Sequence, residues 1–194
     1  MFSVMIRLMI AFINNFLPYG VLVLQGAGLI LLLGVIFARE ANWLRWVGAK
    51  AVPLAFLITL GATLGSLFYS NIMSYEPCLL CWWQRLFMYP QVILFAVALW
   101  SCYVKTTQDK INTVFMYTIP LSIIGGLIAV YQILLPYLAN VGVNCGATGV
   151  SCTKLYVLAF GYITIPVMSL TVFVILILLA IVSKMKFNSL SKNP

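Results

Sequence analysis

Histidine is absent from this 194-residue chain, and only Glu40, Glu76 and Asp109 carry carboxylates. The first absence removes histidine-ligated haem, histidine-containing zinc sites and an imidazole general base. The second leaves a carboxylate-built proton or cation pathway poorly supplied. Charge of either sign is scarce: 7% of residues are charged against 64% apolar, a balance that belongs to an integral membrane protein in a lipid bilayer. The net charge of +8 does not indicate nucleic acid, because the basic residues are scattered beside apolar runs and read as topology signals. Linkers, long polar tails and internal repeats are also missing, so residues 1–194 form a single domain.

Five apolar stretches remain, and they predict an all-α, polytopic membrane helix bundle. Residues 1–15 are an interfacial helix or the lead-in to the first span, with no small-residue cleavage site to mark a signal peptide. The spans are Phe16 to Phe37, Ala51 to Tyr69, Trp82 to Tyr103, Val114 to Leu135 and Tyr156 to Val182. Gly61-x-x-x-Gly65 in the second reads as helix packing, and Pro166 inside the fifth reads as a kink. Arg39, Arg45, Lys50, Lys105, Lys110, Lys184, Lys186 and Lys192 fall on one side of such a bundle. The positive-inside rule then places the C-terminus in the cytoplasm and the N-terminus outside.

That topology puts Cys78, Cys81, Cys145 and Cys152 on the exported face, where disulfides form and persist. Cys102, near the cytoplasmic end of a span, reads as a small buried hydrophobe. Cys78 and Cys81, three apart on one side of a helical turn, can close a small disulfide ring. Pro77 suits a helix start, and the helix N-terminus favours thiolate over thiol. Arg85 stands one turn below Cys81 and adds a full charge. Its burial cost in a span makes a functional use the first hypothesis. Trp82, Trp83 and Tyr89 form an aromatic belt or a stacking surface for a flat ligand such as a quinone, with Gln84 and Arg85 as hydrogen-bond donors to its carbonyls. For Cys145 and Cys152 alone, in a glycine-rich loop, a structural staple is the plainer reading. Beside the first pair, they become one half of a thiol–disulfide exchange path. An all-thiolate zinc site is the remaining option, and its spacing is wider than such sites use.

The stretch Pro77-Cys78-Leu79-Leu80-Cys81-Trp82-Trp83-Gln84-Arg85 is followed by the Cys145/Cys152 pair and by Gly161-x-Ile163-Thr164-Ile165-Pro166. Together they resemble the DsbB family, and the short second loop most resembles its BdbC-type branch. The resemblance covers about residues 51–183. It implies a four-helix core over that range, here with one extra N-terminal transmembrane helix, 16–37. It also implies a bacterial cytoplasmic (inner) membrane location. The activity it implies takes electrons from a DsbA-like, thioredoxin-fold exported oxidase and delivers them to the membrane quinone pool, ubiquinone or menaquinone. By motif match, Cys145 exchanges with the partner's cysteine with Cys152 as its disulfide mate, Cys81 is the quinone-facing thiolate with Cys78 as its mate, and Arg85 is a cation at the quinone site. Two departures stand out: the added first span, and a Cys145–Cys152 spacing far shorter than in long-looped members.

Two other classes of protein carry comparable cysteines. Vitamin K epoxide reductase-like proteins also pair loop cysteines with a membrane Cys-x-x-Cys, but there the loop pair comes first in the chain. A cysteine-ligated metal carrier, or a membrane assembly factor without enzymatic activity, would use the same cysteines as ligands.

Overall fold

The computed structural model describes residues 2–39, 41–104, 108–138, 152 and 156–192, with side chains for 16–39, 41–101, 113–137, 152 and 156–185. Cys145, with nearly all of the glycine-rich loop predicted around it, lies outside the described residues.

Six α-helices make up the described chain, with no extended strand among the described residues. They are α1 Phe2–Phe37, α2 Asn42–Ala49, α3 Ala51–Leu67, α4 Leu79–Val104, α5 Gln108–Leu138 and α6 Ile165–Lys192. Four stretches are long and apolar enough to cross a membrane: Phe16–Phe37, Ala51–Ile72, Thr113–Tyr137 and Ile165–Met185. α4 has the length, at 26 residues, but Gln84, Arg85 and Gln91 dilute its described part. It packs between α3 and α5 all the same, and the chain is a polytopic helical bundle. Residues 2–15 continue α1 without a break, so the lead-in reading applies.

α6 is the hub, in contact with α1, α2, α3 and α5. Of its apolar window 44% is buried, against 17% for α1, which lies on the outside of the bundle. Apolar surface gains little by leaving lipid for protein, so close packing holds these helices together. Gly125 of α5 shows how: a Cβ there would lie 2.4 Å from the Phe173 ring of α6, which is fully buried. Gly34 of α1 makes the same allowance for Trp43 of α2. α2 itself lies where only a basic connection was expected.

Two expectations change. Residues 156–164 are not helical: they form a tight turn in which Ala159 and Ile163 exchange backbone hydrogen bonds of 3.0 and 2.9 Å. Gly161 sits in the left-handed region, φ 78°, where glycine is at ease. The last span therefore begins at Ile165 rather than Tyr156. Pro166 falls in its first turn, where a missing N–H costs nothing, and so starts the helix instead of kinking it. Pro77 shifts in the opposite sense. The Trp82 N–H binds the Cys78 carbonyl at 3.1 Å, which makes Cys78 the cap and leaves Pro77 just before the helix.

Candidate active site

α4 opens with its two cysteines at the bundle's end. Cys78, the cap, is buried, and Cys81 lies in the first turn, just ahead of the apolar stretch that begins at Trp82. Both are free thiols, with the sulfurs 3.1 Å apart. That is a hydrogen-bonded dithiol, well beyond the roughly 2.05 Å of a disulfide. One proton is shared unequally. The hydrogen bond from Cys78 holds the Cys81 thiol down at about 6, from an ordinary 9.0, despite burial. The same hydrogen bond and burial push Cys78 far upward. The pair titrates as a unit in which Cys81 carries the negative charge.

A second donor comes from α5. The Gln132 amide nitrogen lies 3.4 Å from each sulfur. Its oxygen accepts from Gln84 Nε2 at 2.7 Å, and the Gln84 oxygen accepts from Ser169 Oγ of α6 at 2.6 Å. In this chain across three helices the nitrogen end of the Gln132 amide faces the sulfurs. Gln132 also lowers Cys81, ranking after the Cys78 hydrogen bond. Gln84, predicted as a ligand-facing donor, is thus engaged at both ends and buried, although it lines the neighbouring cavity.

Arg85 also departs from the expected arrangement. Its Nη2 donates to the Ser66 carbonyl at 3.2 Å, just ahead of the π-helical turn Phe68–Ile72 that ends the second span. The guanidinium lies 5.4 Å from the centre of the Trp82 ring. Its charge still favours the Cys81 thiolate, but as the smallest of the lowering influences.

Cys152 is disulfide-bonded and buried, and it packs in one apolar cluster with Cys78 and Leu135, edged by Leu80 and Cys81. Tyr75 stacks on both Tyr69 and Tyr156, at 5.9 and 4.7 Å between centroids. The stack ties the loop before Cys78 to the segment after Cys152. Of the four predicted cysteines, the three described ones therefore converge. Among the described residues no three histidine, cysteine or carboxylate side chains gather as metal ligands. Gln132 and Ser169 belong to no motif; their only signal in the sequence is a polar side chain inside an apolar helix.

A cavity of about 400 Å³ opens beside Cys81, lined at this end by Cys78, Gln84, Arg85 and Gln132. Its size falls in the range of small-molecule sites. Its walls run on between α1 and α3, where they are aliphatic.

A half-buried dithiol with one sulfur held as thiolate, a disulfide packed against it and an apolar cavity alongside define a membrane thiol–disulfide protein. Residues 48–183 match the family described as disulfide bond formation protein DsbB. The probable disulfide formation protein C 2 of Bacillus cereus is 35% identical over 136 residues, covering 70% of this chain and 92% of the relative. The probable disulfide formation protein of Chlamydia caviae is 38% identical over 145 residues, covering 74% and 98%. A third relative, the SPbeta prophage-derived disulfide bond formation protein B of Bacillus subtilis, is 34% identical over 140 residues, covering 72% and 89%. No solved structure matches. The chain belongs to the DsbB family, and α1 lies wholly before the matched region.

Proposed function

We propose that the chain is a quinone-dependent protein-dithiol oxidoreductase that renews an exported thioredoxin-like oxidant and so supports disulfide formation in exported proteins. One observation carries this reading: disulfide-bonded Cys152 packs against the Cys78–Cys81 dithiol at the edge of an apolar cavity.

A thiolate of the partner attacks the bond between Cys145 and Cys152. The partner leaves as a disulfide, having lost two electrons and two protons, and the loop pair is left as two thiols. The same exchange then reduces a Cys78–Cys81 disulfide and restores the loop bond.

The cavity fits a quinone ring: apolar walls with Cys81, Arg85 and Gln84 at one end. A bound quinone supplies a two-electron, two-proton acceptor. Cys81 would supply the reactive electron pair, Cys78 would keep the neighbouring proton, and Arg85, in the cavity wall, would supply a cation to offset the charge that the quinone gains. Gln84 acts with Gln132 to hold the thiolate. The cysteine end faces the exported side of the bacterial inner membrane, with the N-terminus outside and the C-terminus in the cytoplasm.

The test is the full-length protein in lipid nanodiscs with a reduced thioredoxin-like donor and added quinone. Quinone reduction should match donor oxidation, vanish with Cys81→Ser, and lose only its donor-driven part with Cys152→Ser. Donor oxidation that persisted in Cys152→Ser would make the loop pair a staple. Bound metal with no quinone reduction would favour a metal carrier.

A further inference from the structure

α1 lies outside the part of the chain that matches the family, yet it forms one wall of the cavity at Cys81. Leu17, Gly20, Val21 and Leu24 recur at the spacing of a single helix face, and that face borders the cavity. α1 is held in this position by α6 and the turn before it rather than by α3. The Gln25 amide donates to Thr171 Oγ1 at 3.1 Å and accepts from the Tyr162 hydroxyl at 2.8 Å. α1 and α3 approach where Leu17 would lie 3.3 Å from a Cβ on Gly65. By contrast, a Cβ on Gly20 or on Gly61 would meet nothing within 4 Å. The packing expected of the Gly61-x-x-x-Gly65 pair thus applies to Gly65, while Gly61 opens onto the cavity. Leu57, 63% exposed, and Gly61, also exposed, stand at the rim on the surface that lipid covers.

The cavity therefore has two ends of different chemistry. One holds a thiolate, a guanidinium, amides and the Glu76 carboxylate; the other holds aliphatic carbon and glycine backbone and opens sideways into the membrane. We propose that α1 and α3 form a slot for the isoprenoid tail of the quinone whose ring is reduced at Cys81. That makes α1 a substrate-binding helix rather than a simple anchor. The inference rests on the quinone reading above. A phospholipid acyl chain would suit the aliphatic end alone, whereas a tailed quinone suits both ends at once.

The experiment uses full-length protein in nanodiscs and two probes with the same benzoquinone ring, one with a photoreactive isoprenoid tail and one without a tail. Irradiation should label peptides containing residues 16–24 or 57–65. Leu at Gly20 or Gly61 fills the slot, so Gly20→Leu and Gly61→Leu should each lower the tailed-to-tail-less affinity ratio about tenfold. Gly26→Leu should leave the ratio unchanged, because Gly26 is exposed on α1 away from the cavity and also has open space around it. Label on other helices would overturn the proposal, as would equal losses for both probes or an unchanged ratio. A photoreactive acyl-chain lipid that labelled the slot in the presence of saturating tailed quinone would overturn it too. If the wild type reduces the tail-less ring but binds the tailed probe no better, the slot alone fails. If it binds neither probe, the quinone reading itself has failed.

Discussion

Gln84 and Gln91 lie two turns apart on the same face of α4, both buried and both reaching α5. Gln84 leads through Gln132 to the sulfurs of Cys78 and Cys81. Gln91 accepts from Ser122 Oγ at 3.1 Å and donates to its own helix at the Phe87 carbonyl, 3.0 Å away. Fully buried Phe95 lies on the same helix one turn further on. Residue type, helix face and burial are alike, and both amides escape the cost of a buried unsatisfied group. The difference lies in what stands at the end of each chain of hydrogen bonds. The upper one ends on a sulfur beside a cavity; the lower one closes on itself inside the bundle. Polarity inside a membrane helix therefore flags a network, and only the partner at its end says whether the network serves chemistry.

The largest effect that separates the two networks should come from Gln132→Leu. It deletes the donor 3.4 Å from both sulfurs, so Cys81 should titrate above about 6. A lowered thiol pKa means thiolate at lower pH, so the alkylation rate should rise with pH through a higher midpoint in the variant. An increase of one unit would cut the thiolate fraction at pH 6 from about one half to about one tenth. The measurement is alkylation of Cys81 against pH after mild reduction. An unmoved profile would reduce the upper network to a structural one, like the lower.

Gln91→Leu should do the reverse. It orphans Ser122 and should lower stability by about 0.6–2 kcal/mol, the usual range for hydrogen bonds between membrane helices. The Cys81 profile should stay where it is. Unfolding in detergent mixtures reads the first quantity, and the same alkylation assay reads the second. A shifted profile would mean that the two networks are coupled along α4.

Hydropathy alone marks four of the spans, because lipid demands long uncharged helices whatever the tertiary contacts. The cysteine pair at the mouth of α4 is legible for the same kind of reason: two thiols three apart share a face wherever a helix forms. Pro166 shows where such reading ends. A proline within a long apolar run fits a kink and a first turn equally well, and the turn at Gly161 decides between them. Gln132 and Ser169 were not legible as site residues, since their roles depend on which helices meet at Cys81. The two glycines of Gly61-x-x-x-Gly65 diverge for a similar reason: α1 closes over Gly65 and leaves Gly61 open. Motif spacing constrains one helix, whereas this site is assembled from five.

The smallest effect on the thiolate should come from Arg85→Gln, although Arg85 is the only full charge near Cys81 in the motif. A helix neighbour four residues away usually interacts with its partner, and the guanidinium does favour the thiolate. Yet it ranks behind the Cys78 hydrogen bond, the Gln132 amide and the Cys78 backbone. Its donors are also drawn aside, with Nη2 on the Ser66 carbonyl and the plane near Trp82. Arg85→Gln should therefore move the Cys81 alkylation midpoint upward, but by less than Gln132→Leu. Quinone affinity should respond more strongly, because Arg85 lines the cavity proposed to receive the ring. Arg85→Lys should keep the alkylation midpoint and recover only part of the affinity, since lysine preserves the charge without the planar fork. The two readouts are the alkylation profile and equilibrium quinone binding, taken on the same preparations. A midpoint that moved further with Arg85→Gln than with Gln132→Leu would return control of the thiolate to the charge. It would leave the amide chain as a scaffold, no different in kind from Gln91 and Ser122.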